Sequence, residues 1–168
     1  LSNQINTKYQ ETSASFSYDN RKIYFVSNKP GGYGEKDIYV SEKTEAGEWG
    51  PAINLGPVIN TSYDEEGVFM HPDGKTLYFS SKGHSTMGGY DIFKSVFDNN
   101  KWSKPENLGY PINTAYDDFG LIVNASGKYA FFSSNREGSQ DWDLYTFELY
   151  PEARPNPVNY VKGKVYDI

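Results

Sequence analysis

The sequence contains no cysteine among its 168 residues. Disulfide bonds and thiolate metal sites are therefore excluded, and redox logic does not fix a compartment. Long apolar runs are missing as well: none approaches the ~20 residues that cross a bilayer as a helix. Cations are scattered, with 16 Lys and Arg against 22 Asp and Glu for a net charge of -6. That balance argues against a nucleic-acid backbone as partner. The signatures of common catalytic sites are absent too. There is no Gly-x-Ser-x-Gly elbow and no Gly-x-x-x-x-Gly-Lys-Ser/Thr phosphate loop. The only histidines, His71 and His84, lack zinc-site spacing. No metal and no cofactor is expected. The chain opens at Leu1 without Met or a signal-like apolar segment, so any targeting signal is expected in upstream sequence.

What the chain has is aromatic residues and repetition. Hydrophobic residues make up only 37%, but aromatics reach 17%, and 15 of them are Tyr. Large rings bury much apolar area per residue, so this composition can still build a core. Ile5-Asn6-Thr7-Lys8-Tyr9-Gln10-Glu11 returns as Ile59-Asn60-Thr61-Ser62-Tyr63-Asp64-Glu65 and again as Ile112-Asn113-Thr114-Ala115-Tyr116-Asp117-Asp118. The spacings are 54 and 53 residues, a period that signals a solenoid, propeller or array.

Each copy continues in the same way. A short run ends at a two-residue turn (Asp19-Asn20, Asp73-Gly74, Ser126-Gly127), where residues tolerant of positive φ predict a hairpin. A second strand-length run follows: Ile23-Tyr24-Phe25-Val26, Leu77-Tyr78-Phe79-Ser80, Tyr129-Ala130-Phe131-Phe132. After a loop rich in Gly and Ser, a third strand opens on Asp37, Asp91 or Asp143. The first two copies add a fourth segment with Trp49-Gly50-Pro51 or Trp102-Ser103-Lys104-Pro105, and its Pro places it at the sheet edge. The third copy lacks this segment. Four hairpin-linked strands per repeat make a propeller blade.

His71-Pro72-Asp73-Gly74-Lys75-Thr76-Leu77-Tyr78-Phe79-Ser80-Ser81, followed by Gly88-Gly89-Tyr90-Asp91-Ile92-Phe93, resembles the TolB-like, WD-type propeller repeat. The fold expected is all-β: three blades over roughly 1–55, 56–108 and 109–150, read as the last three of a larger ring. Three blades are fewer than the ~4 that close a propeller. Further blades are expected on the same longer chain or on another one. Pro151, Pro155 and Pro157 predict a stiff linker over 151–159. Val161-x-Gly163-x-Val165-x-Asp167, within 160–168, looks like the opening strand of a carboxypeptidase-regulatory-like β-sandwich. A propeller followed by such a sandwich is similar to OmpA-family envelope proteins associated with type IX secretion. The resemblance implies a periplasmic, outer-membrane-associated protein with other envelope proteins as partners.

Alternating strand direction puts the Ile-Asn-Thr loops and the Gly-rich loops on one face of the ring. Glu11, Glu65 and Asp118, at the start of the innermost strand, are expected at the mouth of the central channel, with Asp64, Glu66 and Asp117 beside them. Such carboxylates suit a cation or a basic protein segment. The preferred alternative is that they cap the loop by accepting backbone N–H groups, because repetition in every blade suits architecture. Asp37, Asp91 and Asp143 are expected to satisfy the Gly-rich loops; a calcium role is disfavoured because the Asp-x-Asp-x-Asp-Gly pattern is absent. His71, beside a turn, is expected to cap it or lie on the surface. Trp49 and Trp102 recur in register and are expected to pack between blades. Trp142 stands where the other copies have Lys36 and Tyr90, on the loop face, and is the outstanding candidate contact.

The leading reading is a non-catalytic protein-interaction scaffold of the cell envelope. The alternative is a glycan-binding or glycan-cleaving propeller, using Trp142 for stacking or a carboxylate pair drawn from Glu11, Glu65 and Asp118.

Overall fold

A computed structural model describes residues 1–159. It contains three antiparallel sheets and is the all-β arrangement that the repeat predicts. The sandwich strand expected over 160–168 lies outside the described residues. In the first sheet, β1 (Glu11–Phe16), β2 (Lys22–Ser27), β3 (Asp37–Glu42) and β4 (Ile53–Asn54) pair in chain order. In the second, β5 (Glu65–Met70), β6 (Thr76–Ser81) and β7 (Asp91–Asp98) do the same. Its outer strand is split into β8 (Lys101–Trp102) and β9 (Glu106–Asn107), both on β7, with Lys104 and Pro105 between them. Proline has no N–H for the ladder, so the break falls at the edge, where a sheet tolerates it. The third sheet has three strands: β10 (Asp118–Val123), β11 (Tyr129–Ser134) and β12 (Asp143–Glu148).

The first strand of every sheet carries a register shift, between Glu11 and Ala14, Glu66 and Phe69, or Phe119 and Ile122. At the second shift stands Gly67, with φ at 57°. A Cβ on Gly67 would lie 2.9 Å from both the Cα and the N of Gly120 on the next sheet. The bulge thus lets two first strands meet backbone to backbone.

The core lies between the sheets. Tyr24, Val26 and Ile38 pack against Ile59, Val68 and Met70 across the first gap. Tyr78 and Ile92 pack against Ile112, Leu121 and Val123 across the second. Trp102 bridges sheets, its ring 6.4 Å from that of Tyr24 and edge-on to it. Trp49 packs within its own repeat, 6.0 Å from Phe16.

The repeated Asn ties sheet to sheet. Asn60 Oδ1 accepts the Ile38 N–H at 2.8 Å, and its Nδ2 donates to the Ile38 carbonyl at 3.0 Å and to Asn54 Oδ1 at 2.8 Å. Asn113 does the same to Ile92 (2.8 Å to each backbone group) and to Asn107 Oδ1 (2.7 Å). A side-chain amide has the donor and acceptor of a peptide group, so it pairs with β3 or β7 as a strand would. Nearby, Glu65 N donates to the Lys36 carbonyl (2.9 Å) and Asp118 N to the Tyr90 carbonyl (2.7 Å).

The segment read as an extended linker begins with a 3-10 turn over Pro151–Ala153 and lies back on the second sheet. Ala153 is buried, and its carbonyl accepts the Tyr78 hydroxyl at 2.6 Å. Asn156 N donates to Asp73 Oδ2 at 3.0 Å. A buried tyrosine hydroxyl needs an acceptor, and this turn supplies it.

A candidate binding groove on the loop face

The Ile-Asn-Thr and Gly-rich loops do share a face. A Cβ on Gly34 would fall 2.0 Å from the Tyr63 carbonyl oxygen, and one on Gly88 2.2 Å from that of Tyr116.

The first-strand carboxylates hold these loops. Glu11 accepts from Thr7 N (3.0 Å), Thr7 Oγ1 (2.7 Å) and Ser27 Oγ (3.0 Å). Glu65 accepts from Thr61 N (2.9 Å), Thr61 Oγ1 (2.7 Å) and Ser81 Oγ (2.8 Å). Asp118 accepts from Thr114 N (2.6 Å) and Thr114 Oγ1 (2.9 Å). Its second oxygen faces Arg136 Nη2 at 2.6 Å. Glu65 and Asp118 are fully buried, turned into the loop. Burial pushes the Glu65 carboxyl up to about 7, against the pull of its Thr61 and Ser81 hydrogen bonds.

The third-strand aspartates hold the other loops. Asp37 accepts from Tyr33 N (2.6 Å), Gly34 N (3.1 Å) and Asn54 Nδ2 (2.8 Å). Asp91 accepts from Met87 N (2.6 Å), Gly88 N (3.3 Å) and Asn107 Nδ2 (2.7 Å). Asp143, whose sheet has no fourth strand among the described residues, is exposed and accepts from Gln140 N at 3.3 Å. His71 is buried rather than on the surface, and its Nδ1 accepts the Asp73 N–H of its turn at 3.1 Å. His84 remains exposed, with its Nε2 3.0 Å from the Ile59 carbonyl oxygen and its ring 5.2 Å from that of Phe93.

Beside these loops is a groove of about 440 Å³, lined by Lys36, Glu66, Tyr90, Asp117, Phe119, Ser133 and Trp142. Two repeat positions dominate it. Lys36, Tyr90 and Trp142 each precede a third strand, and Glu66 and Phe119 are each second in a first strand. The loop-holding neighbours Glu65 and Asp118 point the other way, as alternation along a strand requires. At the polar end, Glu66 Oε1 pairs with Lys36 Nζ at 2.5 Å and Oε2 accepts from Thr12 Oγ1 at 2.7 Å. At the aromatic end, Tyr90 meets Phe119 edge-on at 5.8 Å and Phe119 meets Trp142 edge-on at 6.1 Å. Trp142 is 47% exposed.

Asp64 and Asp117 occupy one repeat position but differ in partners. Asp64 Oδ2 accepts from the Tyr90 hydroxyl at 3.2 Å and pairs with Lys82 Nζ at 3.4 Å. Burial, together with the Asp64 and Glu66 charges, holds the Tyr90 hydroxyl well above its ordinary value. Asp117 Oδ1 accepts the Tyr90 N–H at 2.8 Å. Its Oδ2 accepts no hydrogen bond among the described residues. Trp142, in place of a tyrosine, has no hydroxyl to offer there.

Of the residues anticipated as contacts, the groove gathers Trp142 and Asp117 and leaves out Glu11, Glu65 and Asp118, while Asp64 lies behind Tyr90. It also holds Glu66, expected beside those carboxylates, and adds Lys36, Tyr90, Phe119 and Ser133. Lys36 and Tyr90 were within reach of the sequence as register equivalents of Trp142.

No protein-family model matches the chain, and no curated protein matches it by sequence. Solved structures do. TolB from Acinetobacter baumannii superposes with a TM-score of 0.60 at 16% identity, over 88% of this chain and 32% of that one. This fold is a β-propeller. A structure from a study of two prolyl endopeptidases aligns with a TM-score of 0.55 at 18% identity, over 93% of this chain and 20% of that one. Prolyl oligopeptidase B from Galerina marginata gives 0.53 at 15% identity, over 86% and 20%. The chain thus spans about a third of TolB and a fifth of the peptidases, and at these identities the likeness concerns the fold.

Proposed function

We propose that this propeller segment is a non-catalytic protein-interaction scaffold of a bacterial envelope, and that its groove receives a cationic side chain, arginine above all, from a partner protein. The observation that carries the reading is the half-exposed Trp142 beside Asp117, whose Oδ2 has no partner among the described residues. A guanidinium lies flat on an aromatic face and pairs with a carboxylate through its planar fork, so one arginine uses both features. The carboxylates that a glycosidase would need, Glu65 and Asp118, are instead bound to loop donors. The envelope setting, including an outer-membrane complex of the type IX secretion kind, is supported by the resemblance of the repeat.

The test is Trp142 fluorescence during titration with an acetyl-Gly-Arg-Gly-amide peptide, with Trp142→Phe separating its signal from Trp49 and Trp102. Saturable quenching by the arginine peptide, lost with citrulline in its place and lost in Asp117→Asn, is the expected result. Saturable quenching by peptidoglycan fragments but not by the arginine peptide would move the assignment to a glycan-binding module, for which the Trp142 ring is also a platform.

A further inference from the structure

Residues 150–156 show what the outer groove between two sheets of this repeat holds. They lie along the gap between the second and third sheets and are fixed at three points. The Tyr150 hydroxyl donates to the Leu108 carbonyl at 2.8 Å, the Tyr78 hydroxyl donates to the Ala153 carbonyl at 2.6 Å, and Asn156 N donates to Asp73 Oδ2 at 3.0 Å. Ala153 is buried in one apolar cluster with Tyr78, Leu108 and Leu149. The gap between the first and second sheets repeats the same three points one period earlier, at Leu55, Tyr24 and Asp19. Among the described residues, no hydrogen bond reaches the Leu55 carbonyl, the Tyr24 hydroxyl or Asp19 Oδ2. Asp19 holds its own turn through Oδ1 alone, accepting from Ser17 Oγ at 2.6 Å and Arg21 N at 3.0 Å. A groove of about 310 Å³ lies here against Tyr24, Val40, Ile53, Leu55, Phe97 and Trp102. A second space of about 180 Å³ is lined by Tyr24, Phe97 and Asp19. Val40 stands where the filled gap has Lys94, which donates to the Glu152 carbonyl, and Ile53 where it has Glu106. The first groove is therefore the more apolar of the two.

We propose that this groove docks a proline-containing segment of a partner protein, held as residues 150–156 are held one repeat later. A carbonyl of the segment accepts the Tyr24 hydroxyl. A backbone N–H three residues further on donates to Asp19 Oδ2, and a side-chain hydroxyl three residues earlier reaches the Leu55 carbonyl. Proline suits the space against Phe97 and Trp102, because its ring is apolar and its fixed φ leaves little chain entropy to lose on docking. The chemistry of the occupant is read from the filled groove, which presents the same three polar atoms at the same repeat positions. Both sheets that form the open groove lie within the described residues, so its walls do not depend on what adjoins the first sheet or the third.

The test is fluorescence anisotropy of a labelled Tyr-Pro-Glu-Ala-Gln-Pro-Asn-Pro peptide titrated with the full-length protein. The peptide follows residues 150–157 with glutamine in place of Arg154, so it carries no cation for the loop-face groove. Saturable binding is the expected result. Tyr24→Phe removes one hydrogen bond and should weaken it about fivefold. Asp19→Asn keeps an oxygen for the turn but sets an amide donor against the incoming N–H, and should weaken it by at least as much. A peptide with alanine for every proline should bind about tenfold more weakly. Trp142→Phe should leave binding unchanged, so this proposal and the arginine reading fail separately. No saturable binding, binding undiminished in either Tyr24→Phe or Asp19→Asn, or equal binding of the alanine peptide would overturn the proposal.

Discussion

Arg136 Nη2 lies 2.6 Å from Asp118 Oδ1, and the same guanidinium donates to the carbonyls of Pro111 (3.0 Å) and Ile112 (2.7 Å). The other two repeats have glutamate here, long enough to reach the serine opposite, Ser27 or Ser81. Aspartate is one methylene shorter, and Arg136 provides the partner instead. Its guanidinium also lies over the Phe132 and Tyr145 rings, at 4.9 and 4.7 Å. Arg136→Gln leaves a fully buried carboxylate without its cation and should destabilise the fold by about 3 kcal/mol. Arg136→Lys should recover little of that, because an ammonium lacks the planar fork that serves three acceptors at once. The urea midpoint at unchanged slope checks both.

Glu65 makes stability depend on pH. Its folded value is about 7, above the ordinary 4.5. Between those values the folded chain keeps a proton that the unfolded chain has released. Stabilisation from this group is complete below the ordinary value and is lost as pH rises through about 7. The size is on the order of 3 kcal/mol at ~1.4 kcal/mol per pH unit. Glu65→Gln cannot titrate, so unfolding free energies measured from pH 4 to 8 should lose this slope.

The clamp residues should divide by position. Asn60→Ala or Asn113→Ala strands the backbone groups of Ile38 or Ile92 and should cost about 2–4 kcal/mol. Asn6→Ala, identical in chemistry but at an exposed residue, should be nearly neutral. Thermal or urea unfolding of the three variants side by side checks this.

Gly67→Ala should be the costlier of two matched substitutions. Both Gly67 and Gly120 have positive φ, at 57° and 69°. Only at Gly67 does an added Cβ meet neighbouring backbone; at Gly120 the space is open. Gly120→Ala should cost about 1–2 kcal/mol from strain alone, and Gly67→Ala clearly more. Their denaturation midpoints give the order.

The repeat made the sheets legible, because Asp73-Gly74 turns, strand-length runs and Asp91-type strand openings recur at fixed spacing. The carboxylates were half legible. Loop capping by Glu65 and Asp37 was among the readings, but which of Glu65 and Glu66 faces the groove depends on side-chain alternation near a bulge that composition does not locate. The clamp was not legible: an Asn between Ile59 and Thr61 reads as a turn former, and its partner Ile38 lies 22 residues away. The groove was legible only as a column. Lys36, Tyr90 and Trp142 align in sequence, but Phe119 and Ser133 join them through strand pairing.

Because β3 and β7 are each completed by an amide from the following repeat, neither of the first two repeats is saturated by itself. Loosening the third sheet frees Asn113, and with it the backbone of Ile92. The chain should therefore come apart in sequence from the Leu144 end rather than all at once, as quasi-one-dimensional arrays do. The amide protons of Ile38, Ile92 and Leu144 form a ruler for that order: in native-state exchange Leu144 should lose its proton first, Ile92 next and Ile38 last.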